Sequence, residues 1–245
     1  MRLGIVVPAF ALLASIPISG QTTSTPQLQT LQTQVVTAIL GSVKPATIKM
    51  QGTFTSTEGS LTQAGAVQLT LGADGSSTIT LSRSRGSIAE TRTVASGLPS
   101  CSWTDQAGTD HSSPMLNCFP PPWFFPAFAL FAAQQDALLP SWLLSSTSDD
   151  TAGQHLVYDL TFPGSTDGLP VTPPLSLLVD PDSHLPVSIS FYLRPEKASQ
   201  AANVLERVTY AGYRNVDGVM LPFHVQRYLN NALILDLSIS SATVQ

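Results

Sequence analysis

The sequence predicts a mainly β domain with helices (α+β), an antiparallel sheet whose apolar face is covered by helical segments. Three observations carry this. Nearly every strand-like run alternates apolar residues with Ser, Thr, Gln or Asn, the period-two pattern of a sheet with one buried and one wet face. The joints between runs are short, as in an antiparallel meander. Two segments have a helical pattern and are the natural cover for the apolar face. The clearest run lies at Leu205–Leu229. There Asp217-Gly218 is a strong hairpin signal. Beyond it Val219, Leu221, Phe223, Val225 and Leu229 share one face, broken by Arg227, while Met220, Pro222, His224, Gln226 and Tyr228 share the other.

In chain order, a helix starts where Thr25 can cap and Pro26 suits the first turn. Leu28, Leu31, Val35, Val36, Ile39 and Leu40 form its apolar stripe, and Gly41 stops it. Strands are expected around Ile48–Thr55, Val67–Leu71 and Ile79–Leu81, and more weakly over Ile88–Val94. The loop Cys101–Cys118, rich in Gly, Ser, Asp and Thr, reads as an irregular excursion. A second helix is expected from about Trp123, after Pro120-Pro121-Pro122, until Pro140 ends or kinks it. Strands resume after Gly153, with Leu156, Tyr158, Leu160 and Phe162 on one face. Pro163–Pro174 is a loop, and Leu175, Leu177 and Val179 lead to a turn at Asp180-Pro181-Asp182. Val187, Ile189, Phe191 and Leu193 form the next inward face. Pro195–Ala202 is a loop or short helix. The last three strands are Leu205–Arg214, Val219–Leu229 and Leu233–Val244, with Leu233, Leu235, Leu237 and Ile239 inward.

Composition narrows the function classes. Only 11% of the 245 residues are charged, against about 25% in ordinary soluble proteins. Met1–Gly20 has the form of a secretory signal: Arg2, an apolar run from Leu3 to Ile18, then small residues that place cleavage near Gly20-Gln21. Residues 21–245 are then expected to form a single extracytoplasmic domain, with no transmembrane span in the mature chain. Without Arg2, ten basic residues face sixteen acidic ones. That balance leaves no electrostatic footprint for nucleic acid and no basic cluster for anionic lipid head groups. The two cysteines, Cys101 and Cys118, favour one disulfide in an oxidising compartment. Such a bridge stabilises by roughly 3 kcal/mol in the chain-entropy model.

The motif formed by Tyr210, Tyr213-Arg214, Val216-Asp217-Gly218-Val219 and Leu221-Pro222, with Val179-Asp180-Pro181 and Leu185-Pro186 upstream, resembles the lipoprotein-localisation-factor superfamily, the LolA/LolB-like fold. The resemblance covers roughly Leu175–Val244 by motif and the rest by element order. It implies a curved antiparallel sheet forming an incomplete β-barrel that wraps one or two helices, with an apolar cavity between sheet and helices. It also implies a lipid or acylated protein as partner. The motif residues have structural explanations: Asp217-Gly218 makes the turn, Gly212 is a candidate bulge that puts Tyr210 and Tyr213 on one face, and Pro222 marks an edge or bulge. The cysteine loop and the aromatic segment after it depart from the family.

Signals for chemistry are sparse. Trp103, Asp105, Asp110 and His111 could form a metal or acid/base site, but a solvated loop whose carboxylates make turns explains them better. His111, His155, His184 and His224 show no metal-ligand spacing, and nucleophile-elbow and phosphate-loop patterns are absent. Asp180 and Asp182 read as a proline turn. No catalytic residue, metal ligand or cofactor is therefore assigned. The best candidate region is aromatic: Trp123, Phe124, Phe125, Phe128, Phe131 and Trp142. It is either a buried core helix or a lid lining an apolar ligand cavity. The leading expectation is a non-enzymatic protein that binds an apolar or acylated ligand. The alternative is a structural or interaction module of the cell envelope with a filled core.

Overall fold

The computed structural model describes residues 25–96, 98–120, 141–161, 174–193 and 204–245. Helix α1 (Thr25–Leu40) leads into a meander of β1 (Thr47–Glu58), β2 (Leu61–Gly72), β3 (Ser77–Arg83), β4 (Gly86–Ala95), β5 (Leu98–Thr104) and β6 (Asp110–Ser112), followed by the short helix α2 (Met115–Cys118). A second series comprises β7 (Ser141–Asp150), β8 (Gly153–Thr161), β9 (Leu175–Val179), β10 (Pro186–Leu193) and β11 (Val204–Ala211). The ribbon β12 (Arg214–Val216) and β13 (Val219–Leu221) comes next, then β14 (His224–Leu229) and β15 (Ala232–Val244). Thirteen strands form one sheet in the order β6-β5-β4-β3-β2-β1-β15-β14-β11-β10-β9-β8-β7. Among the described residues it is not closed into a barrel, and β1 pairs with β15 at the seam between its halves.

The period-two reading accounts for the core. Ile48, Met50 and Phe54, Val67, Leu69 and Leu71, Ile79 and Leu81, Leu175, Leu177 and Val179, and Leu235, Leu237 and Ile239 are buried in one cluster. Val35, Ile39 and Leu40 of α1 join it, with Leu31 and Val36 packed alongside. Each such side chain contributes about 1.5–3 kcal/mol when fully buried. The wet face of β14 carries a polar ladder instead. Gln226 Nε2 donates to Asp236 Oδ2 at 2.8 Å, and His224 Nε2 lies 2.9 Å from Asp236 Oδ1.

Asp217 and Gly218 both have positive φ, 50° and 89°, the signature of a type I′ hairpin turn. The hairpin tip seats against the end of α1. A Cβ on Gly218 would lie 2.7 Å from Val43 Cγ2, and one on Gly41 would lie 3.2 Å from the Gly218 carbonyl. Gly41 itself stops the helix at φ 55°, its N–H donating to the Thr37 carbonyl at 2.8 Å.

Several expectations need correction. The two long strands around the hairpin are four short ones. Gly212, at φ 63°, breaks the chain rather than bulging it, and Pro222 separates β13 from β14. The Phe223 N–H closes the break by donating to the carbonyls of Ala211 and Gly212. The cysteine loop is not irregular, because β5 and β6 form a hairpin that extends the sheet. Its turn is held by Asp105 Oδ1, which accepts from the Ala107 and Thr109 N–H groups at 2.9 Å. Strand β7 precedes Gly153 and pairs with β8, although its Ser-rich half shows little alternation. A register shift at Val187 leaves Ser188 buried and Val187 half-buried. Another, opposite Arg227/Tyr228, turns Leu233 outward to 40% exposure.

The register also turns charges inward. Ile79 faces Glu90 and Ser77 faces Arg92 across β3 and β4. Glu206 is in phase with Val208 and Tyr210, and Arg227 with Val225. Arg227 Nε lies 2.8 Å from Glu206 Oε1, and Arg227 Nη2 donates to Glu206 Oε2 at 3.1 Å. Its Nη1 donates to Glu90 Oε1 at 3.2 Å. One arginine therefore joins β4 to β11 and β14 across the inner face of the sheet.

These contacts generate two stability predictions. Arg227→Ala leaves the carboxyl of Glu206, 1% exposed, without its cation and should cost about 3–5 kcal/mol in a urea titration at neutral pH. The double change Glu206→Gln with Arg227→Met should recover most of that loss, and a single-variant loss near zero would refute the strut. Separately, hydrogen bonds from nearby backbone N–H groups hold Asp105, Asp150 and Asp180 below the ordinary carboxylate value. Their stabilisation is complete above the unfolded pKa near 3.8 and is lost as pH falls through the lower folded values. The urea midpoint should therefore drop below about pH 4, and less steeply in Asp150→Asn, which removes one of the three.

Candidate functional site

Beside the Arg227 cluster lies a cavity of about 340 Å³, within the size range of small-molecule sites. Strands β3, β4 and β5 supply one wall through Ile79, Glu90, Arg92 and Trp103. Phe191 and Leu193 of β10, Glu206 of β11 and Arg227 of β14 supply the facing wall. Asn117, Cys118 and Pro120 complete it from α2 and the residues after it. The lining is amphipathic, with Ser77, Thr78, Ser102 and Ser113 interleaved among the apolar side chains. No residue of α1 lines it. The space under that helix is occupied by the packed core, and the cavity lies between the β3–β5 and β10–β14 parts of the sheet.

Local structure explains the wall around α2. Cys101 and Cys118 form the expected disulfide, with Cα atoms 5.7 Å apart, tying the end of α2 to β5. The Ser113 N–H donates to the Cys101 carbonyl at 3.0 Å. Arg92 reinforces the tie. Its Nε donates to the Cys118 carbonyl at 3.0 Å and its Nη1 to the Gly75 carbonyl. Burial pushes the Arg92 guanidinium down to about 10, with Asp74 opposing.

The remaining electrostatics divide between the two carboxylates. Burial pushes the Glu206 carboxyl up, against the pull of Arg227. Burial also disfavours the charge on Arg227, but Glu206 and Glu90 overcome it and hold the guanidinium above its ordinary value. Glu90 is less enclosed, with a side chain 37% exposed. Burial likewise raises the phenols of Tyr158, Tyr210 and Tyr213, so all three stay neutral and act as packing groups. Tyr213 donates its hydroxyl to the Pro186 carbonyl at 2.9 Å.

The residues singled out from sequence fall into three groups. Cys101 and Cys118 border the cavity. Tyr210, Tyr213, Asp217, Gly218 and Pro222 do not line it; Asp217-Gly218 turns the ribbon against the end of α1, and Tyr210 is buried in the core. Trp123, Phe124, Phe125, Phe128 and Phe131 lie outside the described residues. Trp142, assigned to the same aromatic segment, has its backbone in β7 opposite Leu160. The group around His111 is a turn with an aromatic stack. His111 Nε2 lies 3.1 Å from Asp105 Oδ2, and its ring stacks on Trp103 at 4.1 Å between centroids. Asp180 makes the expected turn, its Oδ1 accepting from the Ser183 N–H at 2.7 Å. Among the described residues no cluster of His, Cys, Asp and Glu is arranged to hold a metal.

Sequence reasoning missed Glu90, Arg92 and Glu206. It took the inward faces as almost wholly apolar, with Arg227 as a lone exception. The available signal was parity, since each of these charges falls on the inward phase of its own strand.

Neither a protein-family model nor a curated protein matches the sequence. Solved structures do match in fold. A domain from Vibrio parahaemolyticus assigned to outer membrane lipoprotein sorting superposes with a TM-score of 0.54 at 11% identity, covering 89% of this chain and 92% of that one. A LolA superfamily protein from Nitrosomonas europaea gives 0.51 at 11% identity, covering 89% and 93%. A DUF1329 family protein from Desulfovibrio piger gives 0.52 at 9% identity over the same shares. The chain therefore has the LolA-like fold, the architecture to which the Tyr210–Pro222 motif pointed.

Proposed function

We propose that this is an extracytoplasmic, non-enzymatic protein that binds an apolar or acylated ligand in the cavity between the sheet and α2. The observation that carries the reading is the cavity itself, a half-open space with Ile79, Trp103, Phe191 and Leu193 on its walls. A LolA-like fold built round such a space supports it. The ionisable groups present are engaged with one another or with backbone carbonyls, which supports binding over catalysis. Export is supported by the signal-like Met1–Gly20 and by the Cys101–Cys118 bridge, which suits an oxidising compartment. Among the described residues no helix is long and apolar enough to cross a membrane.

A second reading, a structural module of the envelope, draws support from the filled core under α1. One experiment separates the two. The exported protein should take up a fluorescent alkyl probe that has an uncharged head, with a change in its emission, and should carry lipid detectable by native mass spectrometry when purified from its native envelope. Lipid-free protein that leaves the probe's emission unchanged would eliminate the ligand reading and leave the structural module.

A further inference from the structure

The polar groups of the cavity also define the head of its ligand. Arg227 is fully committed, with Nε and Nη2 facing Glu206 and Nη1 donating to Glu90. Arg92 turns its guanidinium toward the carbonyls of Cys118 and Gly75. An incoming carboxylate or phosphate would have to displace a carboxylate from Arg227. For Glu206, buried to 1% exposure, that means stranding an anion in a dry site. A hydrogen-bond donor faces no such obstacle. Glu90 uses Oε1 toward Arg227, and its Oε2 has no hydrogen-bond partner among the described residues. Its side chain is 37% exposed at the cavity wall. Glu90 stands directly across the β4–β5 ladder from Trp103, and Phe191 lines the facing wall. One unspent acceptor is thus set beside apolar surface.

From this arrangement we propose that the cavity selects an amphiphile with an aliphatic chain and an N–H-donating head, an ammonium or an amide, and discriminates against carboxylate and phosphate heads, with Glu90 as the specificity-determining residue. The inference rests on the ligand-binding reading above and names the ligand class of that same cavity. The chain lies against Trp103 and Phe191, and the head donates to Glu90 Oε2 in a charge-assisted bond when it is cationic.

Isothermal titration at neutral pH with three decyl probes below their micelle concentrations tests it: decylamine, N-decylacetamide and decanoate. Decylamine should bind the exported protein at least about tenfold more tightly than decanoate, with the neutral amide between them. Glu90→Gln should bring decylamine and decanoate within about threefold of each other. Asp182→Asn removes the same unit of charge from an exposed turn outside the cavity and should leave the ratio unchanged. Decanoate binding as tightly as decylamine overturns the proposal while sparing the ligand-binding reading. So does a preference that survives Glu90→Gln, or one that Asp182→Asn erases equally. If none of the probes binds the unmodified protein, both readings fail together.

Discussion

The contact between Glu90 and Arg227 constrains everything around it. The two residues sit on β4 and β14, five strand-to-strand steps apart in the sheet, or about 24 Å if the sheet were flat. Their side chains nevertheless meet at 3.2 Å. No pair of side chains bridges that distance across a flat surface, so the sheet must curl until its β3–β5 part faces its β10–β14 part. The energetic sense of the arrangement lies in Glu206. A carboxylate this deeply enclosed is costly unless a cation accompanies it, and an arginine that serves it still has one nitrogen to give. Glu90 takes that nitrogen. Curvature, the facing walls and the amphipathic character of the space between them are then three aspects of one contact.

The interior divides on either side of this strut. Toward α1 the filling is apolar and tight, with Ile39, Ile48, Leu71, Leu177 and Ile189 all fully enclosed. The β12–β13 ribbon locks that half, because its turn glycine and Gly41 leave backbone and Val43 in close approach. Toward α2 the walls are joined by a disulfide, a buried arginine and the Glu–Arg cluster, none of which fills space as efficiently as aliphatic side chains. The cavity is found where covalent and polar ties replace packing. That division also explains why the family-like motif and the candidate ligand site share no residues: the motif residues close the packed half.

How much could be read from sequence depends on the range of each signal. Period-two alternation is local, and it identified the inward residues of β1, β2, β3 and β9, Leu156 and Tyr158 of β8, and Leu235, Leu237 and Ile239 of β15, together with the stripe on α1. The type I′ turn at Asp217-Gly218 is local as well. Where the face pattern is written in Ser and Thr, as in β5, β6 and the second half of β7, alternation loses contrast and the strands went unseen. Bulges defeat it too, since a single extra residue near Val187 or Ile234 inverts the parity of the strand beyond it. The charge cluster has no local signature at all. Glu90 and Arg227 are 137 residues apart, and only the folded register reveals that inward-phase charges of opposite sign on different strands answer one another. The aromatic segment around Phe128 belongs to neither class, because apolar residues all round a segment specify burial without specifying what is buried against them.

The seam between β1 and β15 has a kinetic meaning. Ile48 pairs with Val244 and Ser56 with Leu235, so the middle of the sheet is made from opposite ends of the described chain. Pairings of such long sequence separation are slow to form, because the entropy of closing the intervening chain is lost before the contact returns anything. During synthesis β1 can pair with β2 at once, yet its other edge stays open until β15 exists. In this topology the central ladder cannot be completed while the last strands are still missing, so the middle of the sheet is among the last parts to close.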